Sequence, residues 1–190
     1  EELRSLLARE DQAQVERLFG THADVGPYNL RGVALFGIAE CQRSRRFGSL
    51  LAAGDLAAIG QFMRASHDGD RCFRTCGDEM VPFAVPVDDA ALAALAKANA
   101  PLDLQPGAYA CSTANIDRLV DIANGVEGVV GAQLAGAGLG GCMMTLVKAE
   151  AVATLEERFR HDYYAKLGRE PDLHVCLPVA GAGLIALPGD

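Results

Sequence analysis

Positive charge is what this sequence has little of. Its 17 Lys and Arg stand against 25 Asp and Glu, a formal net charge of −8 at pH 7. That balance argues against nucleic acid, whose binders usually carry the opposite sign, and against anionic membrane surfaces. It leaves room for a locally positive pocket that takes a phosphate. Long hydrophobic runs are missing as well. Each apolar stretch is broken by Gly or a charge before bilayer length, so no membrane-spanning helix is expected. No basic-then-apolar leader opens the chain, which starts Glu1-Glu2 without an initiator Met, so residue 1 is not expected to be a natural start. The cytoplasm is the expected compartment. There the six cysteines, at 41, 72, 76, 111, 142 and 176, are expected to be reduced and buried, not paired. Internal repeats and low-complexity runs are also lacking.

What is present suffices for a core. Half of the 190 residues (50%) are hydrophobic and 22% are charged, which excludes disorder as the main state and suits one domain. Residues 1–69 read as helical. Leu3, Leu6, Leu7, Val15 and Leu18 give an amphipathic segment over 2–18, followed by a turn at Gly20, Gly26 and Pro27. A long helix is expected over about 28–53, with Val33, Phe36, Cys41, Phe47, Leu50 and Leu51 near one face. Its Arg43, Arg45 and Arg46 suit the negative end of the helix dipole and are expected to be solvated. Gly54 stops this helix and Asp55 caps the next, which ends near Ser66-His67.

Residues 70–106 hold Gly77, Pro82, Pro86, Pro101 and Pro106. They read as an irregular insertion on the surface around one short helix, about 88–99, capped by Asp88. From 107 to 190 the pattern alternates. Ser112 or Thr113 caps a helix with Ile116, Leu119, Val120 and Ala123 inward. Strands are expected at 129–134 and 142–147, a helix over 149–167 ended by Gly168, and further strands at 173–177 and 184–187. The pattern predicts an α+β fold with helices on one face of a mostly antiparallel sheet.

Glycine, at 21 residues, is concentrated. Gly136, Gly138, Gly140 and Gly141 fall within six residues between two strands. Glycine reaches positive φ and lets another group come close. Successive N–H groups can then hold an anion. A tight hairpin that only turns the chain fits the spacing equally well. The loop is not a P-loop, since no Gly-Lys-Ser/Thr follows. Nor is it a dinucleotide fingerprint, because a strand follows where a helix is required.

The run Gly131-Ala132-Gln133-Leu134-Ala135-Gly136-Ala137-Gly138-Leu139-Gly140-Gly141-Cys142 resembles the third conserved motif of the GHMP kinases. That superfamily comprises the galactokinase, homoserine kinase, mevalonate kinase and phosphomevalonate kinase groups. The galactokinase group, with Gly-Ala-Arg-Met-Thr-Gly-Ala-Gly-Phe-Gly-Gly-Cys, is the most similar. Other pieces agree in order: Gly54-Asp55-Leu56 through Ser66-His67, Cys111-Ser112 through Asp117-Arg118-Leu119-Val120, Tyr163-Tyr164 with Gly168, and Pro178 through Gly183.

The resemblance implies a single C-terminal domain over 1–190. Its core would be a ferredoxin-like antiparallel sheet with helices packed on it, plus an N-terminal helical segment. It implies an N-terminal ATP-binding domain outside this chain, because residues 1–190 contain neither the Pro-x-x-x-Gly-Leu-Gly-Ser-Ser-Ala loop nor the Gly-Glu-His-x-Asp run. It further implies ATP and Mg2+ in the complete enzyme, a monosaccharide substrate, and transfer of the γ-phosphoryl to a sugar hydroxyl. No catalytic residue or metal ligand is then expected in this chain. Gly136, Ala137, Gly138, Gly140 and Gly141 would form the substrate and phosphate loop. Gln133 stands for the usual Arg or Lys, Ala135 for Thr and Leu139 for Phe. Gln133 and Ala135 are therefore the specificity candidates, with L-arabinose or a uronic acid as alternatives to galactose.

Blander readings compete at other positions. His67, Cys72 and Cys76 lack a clear fourth ligand and are not expected to hold zinc. Ser66-His67 lacks an evident acid to orient the His, so capping or an interdomain contact is expected. Cys142 is expected to be buried and inert, and Asp117, Arg118 and Asp121 to form a helix's outer face. Two other functions remain open: a non-catalytic sugar- or effector-binding regulatory module, and a free-standing chain that pairs with a separate nucleotide-binding subunit.

Overall fold

The computed structural model describes residues 8–21, 28–136 and 138–177. The chain divides into two compact units, 1–30 and 31–190. The first holds α1 (Arg9–Phe19). Within it the Phe19 ring lies 5.2 Å from that of Tyr28.

The second unit begins within α2 (Leu30–Ala53). Gly54 leaves that helix at φ +67°. The Asp55 carboxylate then accepts from Ala58 N–H at 3.0 Å and starts α3 (Leu56–Asp70). α3 runs one turn past its expected end, so His67 lies inside it. Residues 70–106 are more regular than their prolines and glycines suggested. Besides α4 (Asp89–Lys97), capped by Asp88, they contain an antiparallel hairpin of β1 (Phe73–Cys76) and β2 (Glu79–Pro82). Cys76 pairs with Glu79 around a two-residue turn, with Gly77 at φ +62°. A single 3-10 turn, Leu102–Leu104, follows α4.

Thr113, not Ser112, caps α5 (Ala114–Asn124). β3 (Val129–Ala135) and β4 (Cys142–Val147) form the second antiparallel hairpin. α6 (Val152–Phe159) continues through a π-helical turn, Arg160–Tyr164, and a last α turn, Ala165–Leu167. Gly168, at φ +62°, ends it as expected. The fold is α+β with small antiparallel sheets, and the order α5–β3–β4–α6 is consistent with the middle of the expected ferredoxin-like core. Ile116, Val120 and Ala123 of α5 meet Ala132 and Leu134 of β3 and Leu155 and Phe159 of α6 in one core.

The strand expected at 173–177 does not form. Leu173 packs against the core, but the rest of the segment leaves it: Val175 is 63% and Leu177 82% exposed. The strand expected at 184–187 lies outside the described residues. The face expected of α2 also shifts. Val33 and Leu51 are exposed, while Gly32, Ala39 and Arg43 are buried. Arg43 is not solvated. It donates to the carbonyls of Asp103 and Gln105, each at 3.0 Å, and to Glu40. Arg46 pairs with the buried carboxylate of Asp103. Two arginines thus pin 103–105 to α2, Arg43 by satisfying backbone carbonyls and Arg46 by pairing with a buried carboxylate. The cysteines are free, as expected, but Cys41, Cys76, Cys142 and Cys176 are exposed. Cys142 opens β4 opposite Ala135 at the hairpin's mouth, beyond the reach of the core. Among the described residues no helix is long and apolar enough to cross a membrane.

Among the described residues β3 pairs only with β4, and α3 lies along its other edge. The approach is closer than side chains allow. A Cβ on Gly60 would stand 2.1 Å from the Val130 carbonyl oxygen, and one on Gly131 would stand 2.9 Å from Met63 Cβ. Gly60→Ala is therefore expected to lower stability by about 1–3 kcal/mol through overpacking. Gly48→Ala, on the exposed face of α2 with no atom within 4 Å, should raise it by about 0.5–1 kcal/mol. Urea unfolding of the two variants checks both signs.

Candidate functional site

The glycine loop is the tip of the β3–β4 hairpin. Every described residue from 136 to 141 has positive φ: Gly136 +89°, Gly138 +86°, Leu139 +62°, Gly140 +112° and Gly141 +90°. Ala137 lies outside the described residues. Leu139 holds a conformation unusual for a side-chain-bearing residue, with its side chain 85% exposed. The glycines differ in their surroundings. A Cβ on Gly138 would meet Cys111 Sγ at 2.6 Å and Cys111 O at 2.7 Å, whereas Gly136, Gly140 and Gly141 face open space. Leu139 N–H donates to Cys111 O at 2.6 Å, so the loop rests on the segment before α5.

That segment is itself held by the end of α3. Ser112 N–H donates to Asp70 O at 2.8 Å, Tyr109 and Ala110 N–H donate to Gly69 O, and Cys111 Sγ lies 3.3 Å from Asp70 Oδ1. Burial raises the Asp70 carboxyl above its ordinary pKa. Burial, together with the neighbouring Asp70, pushes the Cys111 thiol up to about 12. Cys111 is thus a neutral donor, not a nucleophile. The alternation of β3 puts Gln133 and Ala135 on the face opposite Ala132 and Leu134, at the loop's base. They lie on one face of β3 three and one residues before Gly136, so the hairpin places them next to the described loop residues in the chain.

Sequence reasoning missed the polar pair beneath this loop. Asp117 was expected on an outer face, yet it is fully buried. Its Oδ2 accepts from Phe73 N–H at 2.7 Å and Cys72 N–H at 3.1 Å, and Oδ1 lies 3.3 Å from His67 Nε2. Asp117 is therefore the acid that Ser66-His67 seemed to lack. Burial pushes its pKa up, but the contacts with His67, Ser112, Phe73 and Cys72 outweigh burial and leave it below the ordinary carboxylate value. One signal was legible. Asp117 precedes Val120 by three residues and so shares the apolar stripe of α5.

Elsewhere a cleft of about 540 Å³ is lined by Arg74, Arg118, Arg158 and Lys166, among others, and by no residue of the glycine loop. Its cations have acidic neighbours: Arg158 is 2.5 Å from Asp162 and Lys166 3.4 Å from Asp78. Among the described residues no group of three or more His, Cys, Asp or Glu is placed to hold a metal ion.

A depressed carboxylate stabilises the fold above its unfolded pKa of about 3.9, and that contribution disappears as pH falls through the lower folded value. Asp117→Asn is expected to cost about 2 kcal/mol at pH 7 by weakening charge-assisted hydrogen bonds. The gap from wild type should narrow steadily below about pH 4. Urea midpoints across pH 3–7 measure it.

Three comparisons bear on this arrangement. The family profile described as "GHMP kinases C terminal" matches residues 87–166. A galactokinase of Roseiflexus sp. is 29% identical over 90% of the chain, and one of Chloroflexus aurantiacus is 29% identical over 83%. A galactokinase of Clostridium beijerinckii is 37% identical over 35% of the chain. The chain spans about a third of the length of the first two, 34% and 31%, and 17% of the third. No solved structure gives a significant match. Residues 87–166 thus match the GHMP kinase C-terminal family, in a chain that is similar to galactokinases over most of its length.

Proposed function

We propose that this chain is the C-terminal part of an ATP-dependent monosaccharide kinase, and that residues 136–141 close over the sugar and the phosphoryl group in transit. The observation that carries the reading is the positive φ at every described position of the loop. A tight glycine turn can aim several backbone N–H groups at one anion. Phosphoryl transfer is governed by positioning and by neutralising charge on the transferred oxygens, and backbone N–H groups do both without long flexible side chains. Among the described loop residues the Leu139 N–H is already committed to Cys111 O, so the donors offered to a ligand would be glycine N–H groups. The base and the Mg2+ ligands would come from the part of the enzyme outside this chain. The described residues do not form a metal site of their own.

The first test is turnover in the full-length enzyme, read as ADP release. Gly138→Ala must displace Cys111 and also strain φ, so kcat/KM should fall by about 100-fold or more and Tm should drop. Gly140→Ala meets no neighbour within 4 Å and strains φ alone, so it should lose about tenfold in kcat/KM with a smaller change in Tm. Normal turnover in both variants would remove the loop from the reaction and leave the effector-binding module as the better reading.

Sugar choice is assigned to Gln133 and Ala135. Without the cation and the hydroxyl found there in the galactokinase group, the site is expected to prefer another monosaccharide, with L-arabinose and uronic acids as the first to try. In the full-length enzyme the pair Gln133→Arg and Ala135→Thr should shift the preference toward galactose by about tenfold or more, a difference worth one or two hydrogen bonds. A sugar panel with unchanged ratios would refute the assignment.

A further inference from the structure

His67 is a buried titratable group that the function above does not use. We infer that His67 is a positioning residue for the glycine loop, fixed as its Nε2–H tautomer by Asp117. This rests on the reading of 136–141 as the loop that closes on substrate.

His67 sits within α3 at 1% exposure. Its Nδ1 accepts from Leu134 N–H at 3.2 Å. Leu134 is the last core residue before the chain turns into Gly136. An imidazole nitrogen accepts only when it carries no proton, so the ring proton belongs on Nε2. Nε2 faces Asp117 Oδ1 at 3.3 Å. Both atoms are fully buried and have no other well-aligned hydrogen-bond partner among the described residues, while the Ser112 hydroxyl adds to the polar surroundings of Asp117. Asp117 cannot drift, because Oδ2 is held by the N–H groups of Phe73 and Cys72. A metal-bound His is oriented in the same way, by a carboxylate on its second nitrogen.

The other flank of the loop is tied to the same helix. Asp70, three residues after His67 and so on the same side of α3, receives Ser112 N–H and the Cys111 thiol. Cys111 O in turn receives Leu139 N–H. One face of one helix therefore holds the strand entering the loop and the support under its tip. His67 controls the first of these directly, through a single bond to the backbone.

The test uses the full-length enzyme with His67→Phe, which keeps the ring and lacks the acceptor, and His67→Asn, whose amide oxygen can stand near the position of Nδ1. In His67→Phe, kcat should fall about tenfold or more while KM for ATP and sugar stays within about twofold. His67→Asn should recover to within about threefold of wild type. Unchanged kcat in His67→Phe, or an equal loss in both variants, would overturn the inference. If His67→Phe does not fold, the wild-type protein decides. Two-bond 15N couplings of the imidazole should show a bare Nδ1 and a protonated Nε2, and the opposite tautomer or an imidazolium at pH 7.5 would sink the idea. Loss of turnover in the loop-glycine variants beside an unaffected His67→Phe would overturn this inference alone. Normal turnover in the glycine variants would remove both.

Discussion

A helix lies along β3 on the side away from β4, and most of what is distinctive in the second unit depends on how close it comes. Side chains at Gly60 or Gly131 would hold α3 off the strand. With glycine at both places, the helix approaches until its own side chains reach strand backbone. Arg64 donates to Val130 O at 2.8 Å, and His67 accepts from Leu134 N–H. An exposed strand edge offers unpaired groups to any other strand and favours aggregation. Here two polar side chains satisfy such groups, and the covering helix carries the residues that hold the glycine loop from below.

Buried charge is spent on joining segments that the hydrophobic core does not reach. The core formed by α5, α6 and β3 organises residues 116–159. The chain before it is joined by ions. Arg43 and Arg46 tie 103–105 to α2, Asp117 ties the start of β1 to α5 and α3, and Arg71, 5% exposed, pairs with Asp121 at 2.8 Å. Arg43 and Arg71 each combine a carboxylate with backbone carbonyls, and Asp117 combines two backbone N–H groups with the imidazole of His67. Buried charges are tolerated only when both kinds of partner are present.

Much of this was legible in the sequence where signals were local. Gly54-Asp55 marked a helix boundary, Asp88 and Gly168 marked ends, and the limits of β4 followed from an apolar run between glycine and lysine. What stayed hidden depended on partners distant in the chain. Arg43 looked solvated because its acceptors are carbonyls some 60 residues later. Asp117 looked like a surface acid because its donors and His67 come from other elements. The β1–β2 hairpin was obscured by Pro82 and Gly77, which end and turn strands as readily as they prevent them. The expected strand at 173–177 was apolar enough, but apolar character alone supplies no ladder partner. The loop's glycines were legible as a motif. That Gly138 is packed on Cys111 while Gly140 is open was not.

One irregularity in β3 has consequences for how this hairpin can change over time. Between Val129 and Gly131 the pairing slips by a residue, so Val130 stands outside the ladder, and Arg64 takes its carbonyl. The bulge sets the phase of everything after it. Ala132 and Leu134 point into the core because one residue is counted out before them, and Gln133 and Ala135 point away for the same reason. Losing or gaining a single residue in this stretch would act like a frameshift in shape: the core residues and the specificity candidates would exchange sides at once. Substitutions can accumulate along the strand one at a time, whereas its length is locked to the residue count between bulge and loop.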